Sequence, residues 1–589
     1  MKKFNIKIFF YILTGLIMLN SCLNSDIEEA VEYKDYYNTL DDADNAIKGL
    51  YGQFMELAEQ VVVLNELRGE YLDVTENASL DLIEINNHQP DKANPWISVQ
   101  KFYGVIQNCN DILYNFDLML KENKLTTEEH KERYSDVGAL RTWLYYQLGV
   151  HFGEVPYIVD PVVDISDIDK YKGNVLNLDQ LIPTLISFME NLPTLEPYLN
   201  SQLIANTLDG YSLVPFFINK KCLLGDLYLF NNEYEKAATI YRDVLSEGED
   251  LAATDRRQHR KNRLYSWVWT GGEVDYFAVL YSRYKQQDLS TLYNAWRGMF
   301  SLPADNQGVR EEMIWEMTFD YKFAPKYPFI ELFSNQGKGK YLLKPSDYAI
   351  SDLWGAQVQN NGFPYDCRGI SGGVEEQADG TYLVAKYSYD YDAINKPFQQ
   401  SGKWFLYRAA ILNLRYAEAA NRAGYPRLAW ALVNDGIKGE AFRWRHEDGS
   451  EYRGDSIAQS SWGPGNNYPE PYYFDARNSE QPYLRSPWRD GAGVRGRVNL
   501  PNIDMSHITT HQDSIAFVEK MILNEAGLEL AFEGHRWTDL IRYARRYQKE
   551  NGSGGSFLNE TLRGKYLKAG QPAPDLSAER SWYFTLPNE

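Results

Sequence analysis

The chain has 589 residues and a formal net charge of −21, with 81 acidic against 60 basic side chains. Its length is enough for a large core, and so acidic a body disfavours nucleic acid and anionic lipid as partners. Its four cysteines are scattered and form no CxxC, which argues against a disulfide framework or a zinc site.

The first segment is basic at Lys2, Lys3 and Lys7, then apolar from Ile8 to Leu19, and ends in Leu19-Asn20-Ser21-Cys22. That order reads as a secretory signal closing on a cysteine. Its apolar run reaches about 18 Å as a helix, too short for a bilayer's ~30 Å core. We expect residues 1–21 to be removed and Cys22 to be lipidated, so that acyl chains hold the body to a membrane. Losing three lysines and no acids takes the net charge from −21 to −24. Residues 22–589 then form one domain that opens on a tether over residues 22–40.

Helical spacing predicts scaffold elements near residues 41–57, 96–152, 215–246, 404–440 and 515–547. Leu40-Asp41-Asp42-Ala43 reads as the first cap. A helix from Trp96 to Leu120 and another from Val137 to Phe152 follow. The clearest repeat runs from Asn219 to Leu245. Leu224, Gly225, Tyr228, Ala237 and Tyr241 stand at the offsets of a tetratricopeptide helix pair, with Asn231-Asn232-Glu233 as its turn. Weaker pairs turn at Gly424-Tyr425-Pro426 and at Glu533-Gly534-His535. Loop-rich insertions fill residues 159–211, 247–403 and 443–513, where stretches this long usually carry function. Thr381 to Tyr389 alternates enough for a short strand, and Trp315 reads as core. The fold class is therefore mainly α: tetratricopeptide-like helix pairs, large insertions and a few short strands.

Five stretches carry a family resemblance. They are the lipobox Leu19 to Cys22; Glu66 to Ala78 (ELRGEYLDVTENA); Ala139 to Tyr146 with Phe152 to Pro156; the helix pair Asn219 to Leu245; and Glu525 to Arg542 with the closing Trp582 to Pro587. With these the chain resembles the SusD/RagB family of outer-membrane nutrient-binding lipoproteins. The resemblance implies a single α-helical domain on the cell surface. It also implies a SusC-like TonB-dependent transporter as partner, to which glycans, or in some members peptides, are delivered.

Glu525, Glu529 and Glu533 recur every four residues beside His535, a spacing that suits a metal or an acid/base pair. The alternative is a structural ion-pair network, neutralised by Arg536, Arg542, Arg545 and Arg546. No stretch nominates the carboxylate pair of a glycoside hydrolase, and no GxSxG, HExxH or P-loop is present. The reading is a binding protein, not an enzyme, with no cofactor; acidic loops could hold a structural calcium, but no EF-hand-like spacing occurs.

A chain with 44 Tyr and 14 Trp is rich in flat faces on which sugar rings stack. The candidate ligand residues are Trp96 with Asn94, the cluster Tyr293, Asn294 and Trp296, and Trp354 and Tyr365 in Gly/Asn-rich surroundings. For Trp96, the resemblance favours ligand stacking over a core Trp that caps its helix. Arg68, with Glu70, Asp73 and Asn77, is read either as a rim of the ligand site or as a loop-stabilising cluster. A glycan-degrading enzyme, a peptide-binding relative and a tetratricopeptide-type interaction scaffold stand as alternatives.

Overall fold

The computed structural model describes residues 36–162, 174–198, 201–205, 207–208, 211–246, 267–270, 273–276, 289–301, 312–437, 444–445, 451–452, 468–474 and 493–586. The signal segment, Cys22 and most of the tether lie outside them.

Helix α1 (Leu40–Met55) begins one residue earlier than its acidic pair suggested. Thr39 is the N-cap, and Asp42 closes a capping box on it, its carboxylate accepting the Thr39 backbone N–H at 2.8 Å. Helix α2 (Ala58–Glu66) leads into the short strand β1 (Leu72–Val74), and α3 (Leu80–Asn86) follows. The next long helix, α4 (Gln100–Lys121), starts after Trp96, which belongs instead to a single 3-10 turn at Pro95–Ile97. Helix α5 (Thr127–Phe152) is longer than the apolar pattern from Val137 implied. Its first two turns are polar, and a capping box between Thr126 and Glu129 marks the true start.

Strands β2 (Glu154–Pro156) and β3 (Val175–Asn177) form a small ribbon before α6 (Leu178–Glu190). This helix was hidden inside an expected insertion because Pro183 interrupts it. Helices α7 (Lys220–Phe230) and α8 (Tyr234–Leu245) are the predicted repeat pair, turning at Asn231 and Asn232. Gly225 lies so close to the Tyr241 ring that a methyl group there would overlap it. After α9 (Leu289–Ser301), strand β4 (Met313–Phe319) pairs antiparallel with β8 (Gly402–Arg408). Between those two come β5 (Leu343–Pro345), paired with β1, and the ribbon β6 (Val374–Glu376) with β7 (Tyr382–Val384). Helices α10 (Ala409–Arg422) and α11 (Pro426–Val433), then α12 (His511–Leu530), α13 (Arg536–Asn551) and α14 (Gly554–Ala569), complete the scaffold.

The helices pack in succession: α4 on α5, α5 on α6, α6 on α7, α7 on α8, α8 on α10, and α10 on both α11 and α12. The β4–β8 ribbon is fixed to this stack by aromatic packing. Phe54 of α1 stacks on Trp315 at 5.6 Å and on Trp404 at 5.0 Å, while Trp143 of α5 meets both indoles edge-on.

The N- and C-terminal motifs close on one another. The Glu66 carboxylate accepts backbone N–H groups from Phe532 at 2.8 Å, Gly534 at 2.7 Å and His535 at 2.9 Å. Arg68 is fully buried, with its guanidinium 3.8 Å from the Trp537 ring centroid and 4.0 Å from that of Phe584. Burial in that aromatic slot pushes its basicity well down. Arg536 grips Glu70, and Asn86 donates to Asp73 at 3.2 Å. The cluster around Arg68 is thus a clasp between chain ends, and Arg68 is no rim of a ligand site.

Candidate ligand-binding surface

The site is built on a buried charge network. Glu529, at the end of α12, receives Arg368 at 2.9 Å, Arg408 at 2.7 Å and also Arg497. Arg408 and Arg497 share Glu312 at 2.9 and 3.1 Å. Glu533 lies beyond the helix end and is held by Arg408 at 2.7 Å and Lys386 at 2.6 Å. Glu525 takes Arg368 at 2.7 Å and Arg495 at 2.8 Å. Burial opposes ionisation of Glu529, but Arg497, Arg408 and Arg368 outweigh it and hold its carboxyl far below the usual range. These three glutamates therefore form the structural network, with one correction to its membership. Their partners come from the insertions and, for Arg408, from the end of β8. Arg536, Arg542, Arg545 and Arg546 instead serve Glu70, Glu418 with Asp539, Asp179 with Glu579, and Glu418 with Glu519. Burial pushes the His535 imidazole down to about 4. Among the described residues no group of three or more His, Cys, Asp or Glu is placed to hold a metal.

Trp296 lies directly above the network, with Lys386 at 5.5 Å and Arg408 at 5.6 Å from its ring. Trp296 and Trp354 are both wholly buried, which corrects the expectation that they stack on ligand. Their role is to support a loop. In Gly369-Ile370-Ser371-Gly372-Gly373, a methyl group on Gly369 would fall inside the Trp354 indole, and one on Gly372 would meet the Cys367 carbonyl and the Trp296 ring. Glycine at these two places lets the backbone lie flat on both tryptophans.

Partly exposed side chains surround the loop. Arg297 of α9 donates from Nε to the Ser371 carbonyl at 2.8 Å. Its guanidinium lies 5.2 Å from the Tyr293 ring centroid and 5.4 Å from that of Tyr389. Tyr365 and Ser371 exchange a hydroxyl hydrogen bond at 3.3 Å. Tyr293, Arg297, Tyr365, Ser371 and Tyr389 are half-buried, and Asn294 is exposed beside them. Tyr365 and Ser371 both adopt the left-handed region, at φ 55° and 68°. Non-glycine residues held there cost about 1–3 kcal/mol each, and such strain clusters at functional sites.

Two of the sequence candidates, Tyr293 and Tyr365, are thus linked through Arg297 and Ser371; Asn294 is exposed next to Tyr293 in the chain, and Tyr389 packs against Arg297 with its hydroxyl buried. Arg297 was missed because a lone arginine one turn after a tyrosine is unremarkable until the loop lies beneath it. Trp96 and Asn94 belong to another neighbourhood. Asn94 is buried and fully engaged, donating to the Asp81 carbonyl and the Glu84 carboxylate at 2.9 Å each and accepting the Trp96 N–H at 3.0 Å. It is a turn cap and offers nothing to a ligand. Trp96 is half-buried, with its carbonyl held by Gln60 at 2.7 Å.

Known proteins resemble this chain along most of its length. Residues 491–588 match the SusD family model. A SusD-like protein of Formosa agariphila is 23% identical over 561 residues, covering 92% of each chain. The solved SusD superfamily protein of Bacteroides thetaiotaomicron superposes with a TM-score of 0.55 at 16% identity, over 94% of this chain and 96% of that one. Surface glycan-binding protein A of the same species, solved in complex with laminarihexaose, gives a TM-score of 0.52 at 14% identity, over 93% and 96%. The C-terminal segment thus matches the SusD family model, and the helix stack shares its fold with solved SusD superfamily proteins.

Proposed function

We propose that this protein is a cell-surface, lipid-anchored receptor that binds an oligosaccharide without altering it. It passes that ligand to a SusC-like TonB-dependent transporter in the outer membrane. The surface made by Tyr293, Asn294, Arg297, Tyr365 and Ser371 carries the reading. Pyranose rings offer C–H faces to tyrosine rings, while their hydroxyls need amide, hydroxyl and guanidinium partners; this surface supplies both. A solved relative in fold holds laminarihexaose, which supports a glycan over a peptide. Among the described residues no acid/base pair belongs to the surface, and the dense carboxylate cluster beneath it is neutralised by arginines and Lys386, which supports binding without turnover. No cofactor is assigned. The lipid anchor and the membrane location rest on the signal-like start and Cys22.

Screening the mature protein against a glycan array and a peptide panel tests the ligand class. Binding to one glycan group, with the glycan recovered intact, is the expected result. Peptide binding alone, or cleavage of the bound glycan, would overturn it.

A further inference from the structure

A second polar feature lies away from the ligand surface, where the β4–β8 ribbon meets the helix stack. A cavity of about 30 Å³ there is lined by Trp143, Trp315, Trp404, Arg415 and His535, among others. Three polar atoms of these lining residues, the indole Nε1 of Trp404, Nε of Arg415 and Nε2 of His535, are buried without a hydrogen-bond partner. Trp404 is wholly buried and Arg415 is 5% exposed. Arg415 Nε stands 3.8 Å from Asp226 Oδ1, an ion-pair distance too long for a hydrogen bond. Orphaned buried polar atoms are rare in folded proteins, because each has lost its hydrogen bonds to water without gaining a replacement.

The three atoms define what could satisfy them. The indole and the guanidinium can only donate, so the ligand must accept two hydrogen bonds. A neutral imidazole nitrogen either accepts or donates, depending on its tautomer, and the ligand must suit it too. Burial keeps this histidine neutral at physiological pH, and the Arg415 charge is already matched by Asp539 and Asp226, so no positive charge is left over for an anion. The space admits one small molecule, since a water needs at least ~10–15 Å³ of such volume. We propose that the cavity is a specific internal water site. One water there accepts from Trp404 and Arg415 and completes His535, tying β8, α10 and the start of α13 together.

The test is a crystal structure of the mature protein at about 1.8 Å or better, with a second crystal soaked in bromide. The expected result is an oxygen-sized peak within hydrogen-bond distance of Trp404 Nε1, Arg415 Nε and His535 Nε2, with no anomalous bromide signal. The Trp404→Phe variant, which removes one donor together with part of the ring, should show that peak weakened or displaced. An empty cavity overturns the proposal. So does a bromide peak, or a set of side chains turned so that the three atoms pair directly with protein groups.

Discussion

Tryptophan content alone could not tell floor from platform. Trp296 and Tyr293 are neighbours on α9, yet one is sealed beneath the glycine loop and the other faces out. The sequence places both in an aromatic, amide-rich segment; only packing against Gly372 separates them. The distinction makes opposite predictions. Tyr293→Ala and Tyr365→Ala should each weaken glycan binding about tenfold, or about 1.4 kcal/mol, with an unchanged melting temperature. Trp296→Ala should cost about 3–5 kcal/mol of stability, as truncation of a buried aromatic does. Calorimetric titration beside thermal unfolding reads both. If either tyrosine variant binds at full strength, its ring lies outside the recognition surface. Asn94 and Arg68 show the same limit of sequence reading, since a polar residue in a motif is consumed by partners that only the fold reveals.

Elements were legible where their apolar spacing was uninterrupted. The α7–α8 pair was, because its seam needs small residues opposite large ones at fixed offsets, and Gly225 against Tyr241 satisfies that need. The start of α5 was not, because its first turns present a polar face, and α6 was obscured by Pro183. The partners of Glu529 were beyond reach for a different reason: Arg368, Arg408 and Arg497 come from three separate segments of the chain, Arg408 from the end of β8. At the α7–α8 seam, Gly225→Val should force the helices apart. Overpacking of this kind costs about 1–3 kcal/mol, read as a lowered midpoint in chemical denaturation. The glycan affinity of the folded fraction should remain intact, because the ligand surface stands on α9 and its loop. A variant as stable as the parent would show that the seam has slack. Within the charge network, Glu529→Gln leaves guanidiniums buried with an uncharged partner. Breaking one member of a buried pair costs about 3–5 kcal/mol, and the supported loop should loosen with it. The measurement is a drop in both melting temperature and glycan affinity; loss of neither would mean that the network is dispensable.

The whole molecule combines a proposed lipid anchor with a charged interior, and each sets a behaviour that no single element does. If Cys22 bears the lipid, Cys22→Ala should move the protein from the membrane fraction to the soluble one, and retention would argue against acyl anchoring. The interior sets the response to acid. Burial raises the Glu418 carboxyl, but Arg542 and Arg546 outweigh it and bring the group down to about 2. Its stabilisation is present above an unfolded carboxylate's ordinary pKa near ~4.3. It is lost as pH falls through about 2, on the order of 3 kcal/mol in all, and Glu529 acts in the same sense. His535, held down to about 4, also favours the folded state less as pH falls from ~6.5 toward 4. Asp136 works the other way. Burial raises it to about 7 against the pull of Lys220 and the Tyr51 hydroxyl, which donates at 3.0 Å. Its contribution is full below an unfolded aspartate's ~3.9 and lost as pH rises through about 7. Between pH 7 and 4.5, His535, His88 and His151, all held down by burial, favour the folded state less as pH falls, while Asp136 and Glu59, raised by burial to about 7 and about 6, favour it more. The melting temperature should therefore decline only shallowly there. Below pH 4.5 the paired glutamates protonate in the unfolded chain, and it should fall steeply. Asp136→Asn removes one compensating gain and should steepen the decline from about pH 6.5 downward relative to the parent. A variant whose pH profile parallels the parent's would show that Asp136 does not offset the histidines.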